Sequence, residues 1–143
     1  STPAGINCGT DCSESYPSGT DVSLTATPAT GYAFSGWSGA CTGTGVCNLT
    51  MAAAKSVTAT FKTLPKYTLN VRRSGSGTVT SAPKGITCGR DCTEAYYSGT
   101  VVTLNPVPAK GYKFAGWSGA CTGTGTCTIT MSGAKTATAT FSR

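Results

Sequence analysis

Along most of the chain, apolar residues alternate with Thr, Ser or Asn, and Gly or Pro breaks the alternation about every ten residues. In an extended backbone successive side chains point to opposite faces, so a period of two predicts short strands with one buried face. Tyr67-Thr-Leu-Asn-Val71 places Tyr67, Leu69 and Val71 on one face and Thr68 and Asn70 on the other. Ser74-Gly-Ser-Gly77 then predicts a turn into Thr78-Val79-Thr80, giving an opening hairpin. Thr20–Ala26 predicts a strand that buries Val22, Leu24 and Ala26, with Val102 and Leu104 playing the same part later in the chain. Pro28 and Gly31 end that strand, and Gly31–Trp37 begins the next. Leu49 and Met51, then Val57, Ala59 and Phe61, mark two more. Helical periodicity is nearly absent. The expected class is all-β and mainly antiparallel.

The alternation recurs because the sequence does. Shifted by 80 residues, Ser1–Phe61 lies over Ser81–Phe141, and 39 of the 61 aligned pairs are identical. A repeat of this kind sets the domain organisation before any single element does. Two tandem units are expected, residues 1–63 and 64–143, each an assembly of four or five strands. The segment Lys62-Thr-Leu-Pro-Lys66 is a short linker containing Pro, which predicts stacked rather than loosely tethered units. Only the second unit carries the element Tyr67–Thr80. The first begins at Ser1, the partner of Ser81.

Units this small bury too little apolar surface to be stable on their cores alone. Eight cysteines supply the remainder, Cys8, Cys12, Cys41 and Cys47 in one unit and Cys88, Cys92, Cys121 and Cys127 in the other. The spacings, C-x3-C and C-x5-C, differ from the C-x2-C knuckles of structural zinc, so disulfides are expected and no metal. Four cysteines allow three pairings per unit, and spacing alone leaves them open. The loop Cys41-Thr-Gly-Thr-Gly-Val-Cys47, with two glycines to close a small ring, favours local pairs. Disulfides imply an oxidising, extracellular compartment. No run approaches the roughly 18 apolar residues that a membrane span needs. No signal peptide is present either, so the sequence reads as a mature chain or a piece of a longer one.

Gly-Tyr-x-Phe-x-Gly-Trp-Ser-Gly-Ala-Cys at 31–41 and 111–121 is joined by the Cys-Gly-x-Asp-Cys turns and by the endings Lys-Ser-Val-Thr-Ala-Thr-Phe61 and Lys-Thr-Ala-Thr-Ala-Thr-Phe141. In these motifs, over nearly its whole length, the chain resembles the divergent internalin-type B-repeat, a bacterial module found in tandem arrays on secreted and cell-surface proteins. The resemblance implies a β-grasp-like or other small β-rich module for attachment, display or spacing, without catalytic residues.

The inventory of side chains agrees with a non-enzyme. There is no His, which removes Ser-His-Asp and Cys-His arrangements. Only Asp11 with Glu14, and Asp91 with Glu94, recur as carboxylate pairs, and beside the Cys12 and Cys92 staples they read as turn caps rather than an acid/base pair or a calcium site. No cofactor is expected. The net charge of +6 is also uneven: residues 1–63 carry two basic and three acidic groups, −1, and residues 64–143 carry nine basic and two acidic, +7. Basicity confined to one copy, with no clustered stripe, does not read as a nucleic-acid surface.

Two surfaces remain. The aromatics Trp37, Trp117, Tyr32, Tyr112, Tyr16, Tyr96 and Tyr97 are candidate stacking platforms for a polysaccharide or cell-surface glycan. In an unbroken strand Trp37 points away from Phe34, although Gly36 is a candidate bulge that turns the Trp into the core. The second is the sheet edge left open in the first unit, where the counterpart of Tyr67–Thr80 is missing. An unpaired edge invites another strand, so self-association into a filament stands as the alternative to attachment. Asn48-Leu-Thr50 fits a glycosylation sequon, but the second copy lacks it, and it reads as incidental.

Overall fold

The computed structural model describes all 143 residues, as twelve strands and no helix. The chain divides into two compact units, Ser1–Leu64 and Pro65–Arg143. No helix is long and apolar enough to cross a membrane.

The first unit contains β1 (Asp21–Leu24), β2 (Tyr32–Gly39), β3 (Cys47–Thr50) and β4 (Val57–Thr63). They form two separate two-stranded antiparallel sheets, β1 with β3 and β2 with β4.

The second unit contains β5 (Lys66–Ser74), β6 (Gly77–Ala82), β7 (Thr87–Cys88), β8 (Thr93–Tyr97), β9 (Val101–Pro108), β10 (Lys113–Gly119), β11 (Cys127–Thr130) and β12 (Lys135–Ser142). Eight strands exceed the four or five expected. They form two four-stranded sheets, in the orders β10-β12-β5-β8 and β11-β9-β6-β7. All pairs are antiparallel except β5 with β12, the first and last strands of the unit, which run parallel at the centre of their sheet. Central parallel pairing of first and last strands is the β-grasp pattern, here without a helix across it.

β5 and β6 are not the hairpin that the Ser74–Gly77 turn predicts. They follow one another through Gly75 and Ser76 but pair in different sheets. The segment is a β-arch that contributes one strand to each sheet, and one core fills the space between. That core takes Leu69 and Val71 from β5, Val79 from β6, Val102 and Leu104 from β9, Ile129 from β11 and Ala137, Ala139 and Phe141 from β12. Each fully buried aliphatic side chain contributes roughly 1.5–3 kcal/mol. The arch itself is shaped around Phe141. The ring lies against Gly77, where a Cβ would come within 2.6 Å of Cζ, so only glycine leaves room for it there.

All four disulfides are local: Cys8–Cys12, Cys41–Cys47, Cys88–Cys92 and Cys121–Cys127. No cysteine is free.

Candidate functional site

In the first unit, the 80-residue counterparts of the second unit's core positions stand in a different environment. Phe141 is 4% exposed and Phe61 is 39% exposed. Ala137, Ala139, Met131, Leu104 and Ile86 are buried, whereas Val57, Ala59, Met51, Leu24 and Ile6 are only half-buried. Of the first unit's apolar residues, Val22 and Cys47 alone are fully enclosed.

Strand pairing gives the cause. Removing β5 and β6 from the second unit's two sheets leaves β10-β12 and β11-β9, which are the counterparts of β2-β4 and β3-β1. β4 pairs with β2 and with no other strand. The counterpart of β8, Ser13–Pro17, is not a strand, and residues 1–64 include no counterpart of β5 for it to pair with. β1 stops at Leu24, whereas β9 continues to Pro108, where Asn105, Pro106, Val107 and Pro108 pair with Thr80, Val79, Thr78 and Gly77. Ser1 and Thr2 correspond to Ser81 and Ala82, the last two residues of β6. Thr2 bridges Ser23, with its N–H donating to the Ser23 carbonyl at 2.9 Å and the Ser23 N–H donating back at 2.8 Å. The same pairing joins Ala82 to Thr103 in the second unit.

A cleft of about 370 Å³ is lined by Glu14, Ser15, Tyr16 and Ser18 and by Met51–Lys55, the segment that precedes β4. In the second unit Leu69 lies between Glu94 and Lys135 and pairs with both. Their counterparts, Glu14 and Lys55, both line the cleft, so it lies at the position that Leu69 holds in the other copy. The expectation from sequence concerned an open edge. It did not contain the cleft, because Glu14 and Lys55 carry no strand signal of their own.

The aromatic candidates do not form one surface. Trp117 is 5% exposed and Tyr96 is 6% exposed, so neither offers a face to a sugar ring. This corrects the reading of both as platforms. An extra residue between Phe114 and Gly116 shifts the register of β10, and the same bulge interrupts β2 between Phe34 and Gly36. The bulge glycines hold φ of +147° and +148°, where a side chain is strained. The shift brings each Trp to the side of the preceding Phe, with ring centroids 5.1 Å apart in both copies. The cysteine loop then closes over it. Trp37 Nε1 donates to the Gly45 carbonyl at 2.7 Å, and Trp117 Nε1 to that of Gly125 at 3.0 Å.

The remaining tyrosines are individually committed. Lys66 Nζ lies 4.7 Å over the Tyr97 ring, and the Arg143 guanidinium 5.5 Å over that of Tyr112. Arg143 Nε also donates to the Tyr112 hydroxyl at 3.2 Å and holds that phenol below the ordinary tyrosine value. Tyr16 and Tyr96 bond Ser1 Oγ and Ser81 Oγ, each at 2.9 Å. Burial pushes the Tyr96 phenol up, the bond with Ser81 opposes the rise, and the Glu94 carboxylate adds to it. Tyr32, at 46% exposed, is the candidate whose ring remains open. Trp37 and Tyr32 line neither the cleft at Glu14 and Lys55 nor another bounded by Thr25, Ala26, Phe34 and Thr44–Val46.

The recurring carboxylates cap turns. Asp11 Oδ1 accepts from the Ser13 N–H at 3.4 Å and Asp91 Oδ1 from that of Thr93 at 3.3 Å, while Glu14 and Glu94 accept from the amides that follow them.

Comparison with known proteins gives one match. The family model for the divergent InlB B-repeat domain fits residues 2–65 and 67–143, once for each unit. No curated protein and no solved structure matches the chain.

Proposed function

The chain belongs to the divergent InlB B-repeat family, and on that premise we propose that it is a secreted, non-catalytic structural repeat whose first unit offers its strand edges for β-strand pairing. The family is one of extracellular repeats and is typically non-catalytic, and four disulfides with no membrane-spanning helix fit a secreted protein. The observation that carries the reading is the pair of unsatisfied strand edges, on β4 and on the continuation of β1, above an apolar strip that includes the exposed Phe61. Unpaired N–H and C=O groups in a row are a template for another strand, and main-chain pairing over an apolar strip is a recurring mode of attachment between chains.

Light scattering and negative-stain microscopy across a concentration series test this reading. The wild-type chain associates with rising concentration, and Phe61→Glu, which places a charge in the strip, shifts the association at least tenfold in concentration. A monodisperse monomer throughout contradicts it.

Attachment to glycans has narrower support. It rests on the open ring of Tyr32 and the half-exposed Trp37, since Trp117 and Tyr96 are enclosed. Retention on an insoluble polysaccharide that falls with Tyr32→Ala would favour it. Equal retention of both proteins removes it.

A further inference from the structure

We propose that the end of the second unit around the turn of its arch, Gly75–Gly77, is a binding site for an acidic polysaccharide, held by the exposed side chains of Arg72, Arg73, Lys110, Lys113 and Arg143. The site lies wholly within the second unit. It is apart from the strand edges of the first unit and from the open Tyr32 ring, and it stands without the strand-pairing reading.

The five cations are far apart in the sequence and form no stripe there, and strand pairing gathers them. β5 ends with Arg72, Arg73 and Ser74 beside the end of β12, Arg72 opposite Thr138 and Ser74 opposite Thr140. Lys113 opens β10 opposite Ser142, the residue before Arg143. Lys110 stands in the turn between β9 and β10, which the Ala109 N–H ties to the arch by donating to the Ser76 carbonyl at 3.1 Å. Val71, Phe114 and Phe141 face the core, so Arg72 and Lys113 project from the outer face of their sheet. They stand two strands apart, about 10 Å, and four residues apart along β12, about 13 Å.

No carboxylate side chain neutralises this end. Residues 65–90 and 95–143 contain no Asp or Glu. The second unit's two acids, Asp91 and Glu94, accept from the amides of Thr93 and Ala95. A cluster of like charge repels itself, and a polyanion relieves that repulsion.

Two of the guanidiniums are already held in place. Arg73 Nη1 donates to the Gly77 carbonyl at 2.7 Å, and Arg143 Nε donates to the Tyr112 hydroxyl with its guanidinium over the ring. Each keeps further N–H donors on its other nitrogens, and a guanidinium fixed by one bond loses less freedom when the others take a carboxylate. Exposed Ser74, Ser76 and Ser142 lie among the cations and supply hydroxyls for sugar hydroxyls. A single-stranded nucleic acid is bound largely by stacking its bases on free aromatic faces, whereas the ring here, Tyr112, is covered by Arg143. Separated cations with hydroxyls between them suit a chain of sugars that bear carboxylates.

The repeat supplies an internal control. The counterparts of Lys110, Lys113 and Arg143 in the first unit are Thr30, Ala33 and Thr63, and Lys62, in place of Ser142, is the one cation added. The site therefore belongs to the second copy alone, which gives the uneven charge of the two units a purpose.

The test uses the full chain and polygalacturonate, with its methyl ester as the same backbone without charge. Titration calorimetry at physiological ionic strength is expected to show binding to the polygalacturonate that falls at least tenfold for the ester. Lys110→Thr with Lys113→Ala, which installs the first unit's own residues, weakens binding at least tenfold and leaves the melting curve unchanged. Lys66→Ala with Lys84→Ala removes the same charge at the opposite end of the unit and changes binding less than twofold. Amide shifts on binding fall at residues 74–77 and 110–113 and spare 30–33. Absence of binding, equal binding of the ester, or equal weakening by the two double variants overturns the proposal. Binding to polyglutamate or to duplex DNA as tight as to polygalacturonate overturns it too, since anionic charge and not a sugar chain would then be what the site takes. A chain that stays monomeric still binds the polysaccharide, so this site and strand pairing fail separately.

Discussion

The two units share their framework residues and differ in what encloses them. Trp37 and Trp117 follow the same bulge, lie beside the same Phe and donate to the same loop carbonyl, yet one is half-exposed and the other buried. Phe61 and Phe141 end the same Thr-Ala-Thr run with tenfold different exposure, 39% against 4%. Nothing in the aligned residues accounts for this. The difference lies in the arch Lys66–Ala82, which supplies a central strand to each sheet and three aliphatic side chains to the core. The lesson is that burial in this repeat belongs to the completed pair of sheets and not to the residues that alternate along any one strand.

The sharpest way to break the comparison is to make the same substitution in both copies. Trp117→Ala and Phe141→Ala each cost the second unit about 3–5 kcal/mol, as large-to-small changes in a closed core do. Trp37→Ala and Phe61→Ala cost the first unit about 1 kcal/mol, in the range of partly exposed sites. Urea denaturation monitored separately in each unit measures all four, and equal costs in the two copies would mean that the first core is closed too.

Reduction gives a middle-sized effect. Cys88 is fully buried in the core, whereas its counterpart Cys8 is exposed. Cys8–Cys12 is therefore reduced first under limiting reductant, which mass spectrometry after alkylation reads directly. A ring closed over so few residues stabilises by about 2 kcal/mol, the lower end of what disulfides contribute. Cleavage of Cys88–Cys92 before Cys8–Cys12 would contradict the burial difference.

A smaller effect depends on pH. Burial raises the Tyr96 phenol above its ordinary value of 10.0. The folded second unit thus holds that proton more tightly than the unfolded chain does. Its contribution to stability is complete below the unfolded value and is lost as pH rises through the folded one. The second unit loses stability above about pH 10, and Tyr96→Phe removes this part of the loss at a cost near 1 kcal/mol for the hydrogen bond with Ser81. Melting curves of both proteins between neutral and alkaline pH check it, and an unchanged alkaline slope in Tyr96→Phe would contradict the assignment.

Much of this was legible in the chain. Alternation located the main strands, and the Gly-bearing loop Cys41–Cys47 favoured the local disulfides that the structure contains. Partners were not legible, since a period of two states which face is buried and says nothing about which strand lies alongside. Ser74-Gly-Ser-Gly77 reads as a hairpin turn, and only the pairing of Val79 with Pro106 and of Leu69 with Lys135 shows an arch between sheets. β7 and β8 went unseen for the same reason, because Thr87–Cys88 and Thr93–Tyr97 become strands by pairing with the arch. The orientation of the Trp side chains turned on one inserted residue. Spacing from Phe34 to Trp37 places them on opposite faces of a regular strand, and the bulge at Gly36 reverses that.

The central claim is that the first unit is the second unit's framework with two strand edges open. Residue-resolved amide hydrogen exchange on the full chain addresses it most directly, since β4 and β12 have nearly the same sequence. In β12 amides facing β10 and amides facing β5 are both held in ladders, so protection runs through Lys135–Ser142. In β4 only the amides facing β2 are held, so the account predicts protection at every second residue of Val57–Thr63, with the others exchanging at least about tenfold faster. Continuous protection along β4 in the isolated chain, matching that of β12, would contradict it.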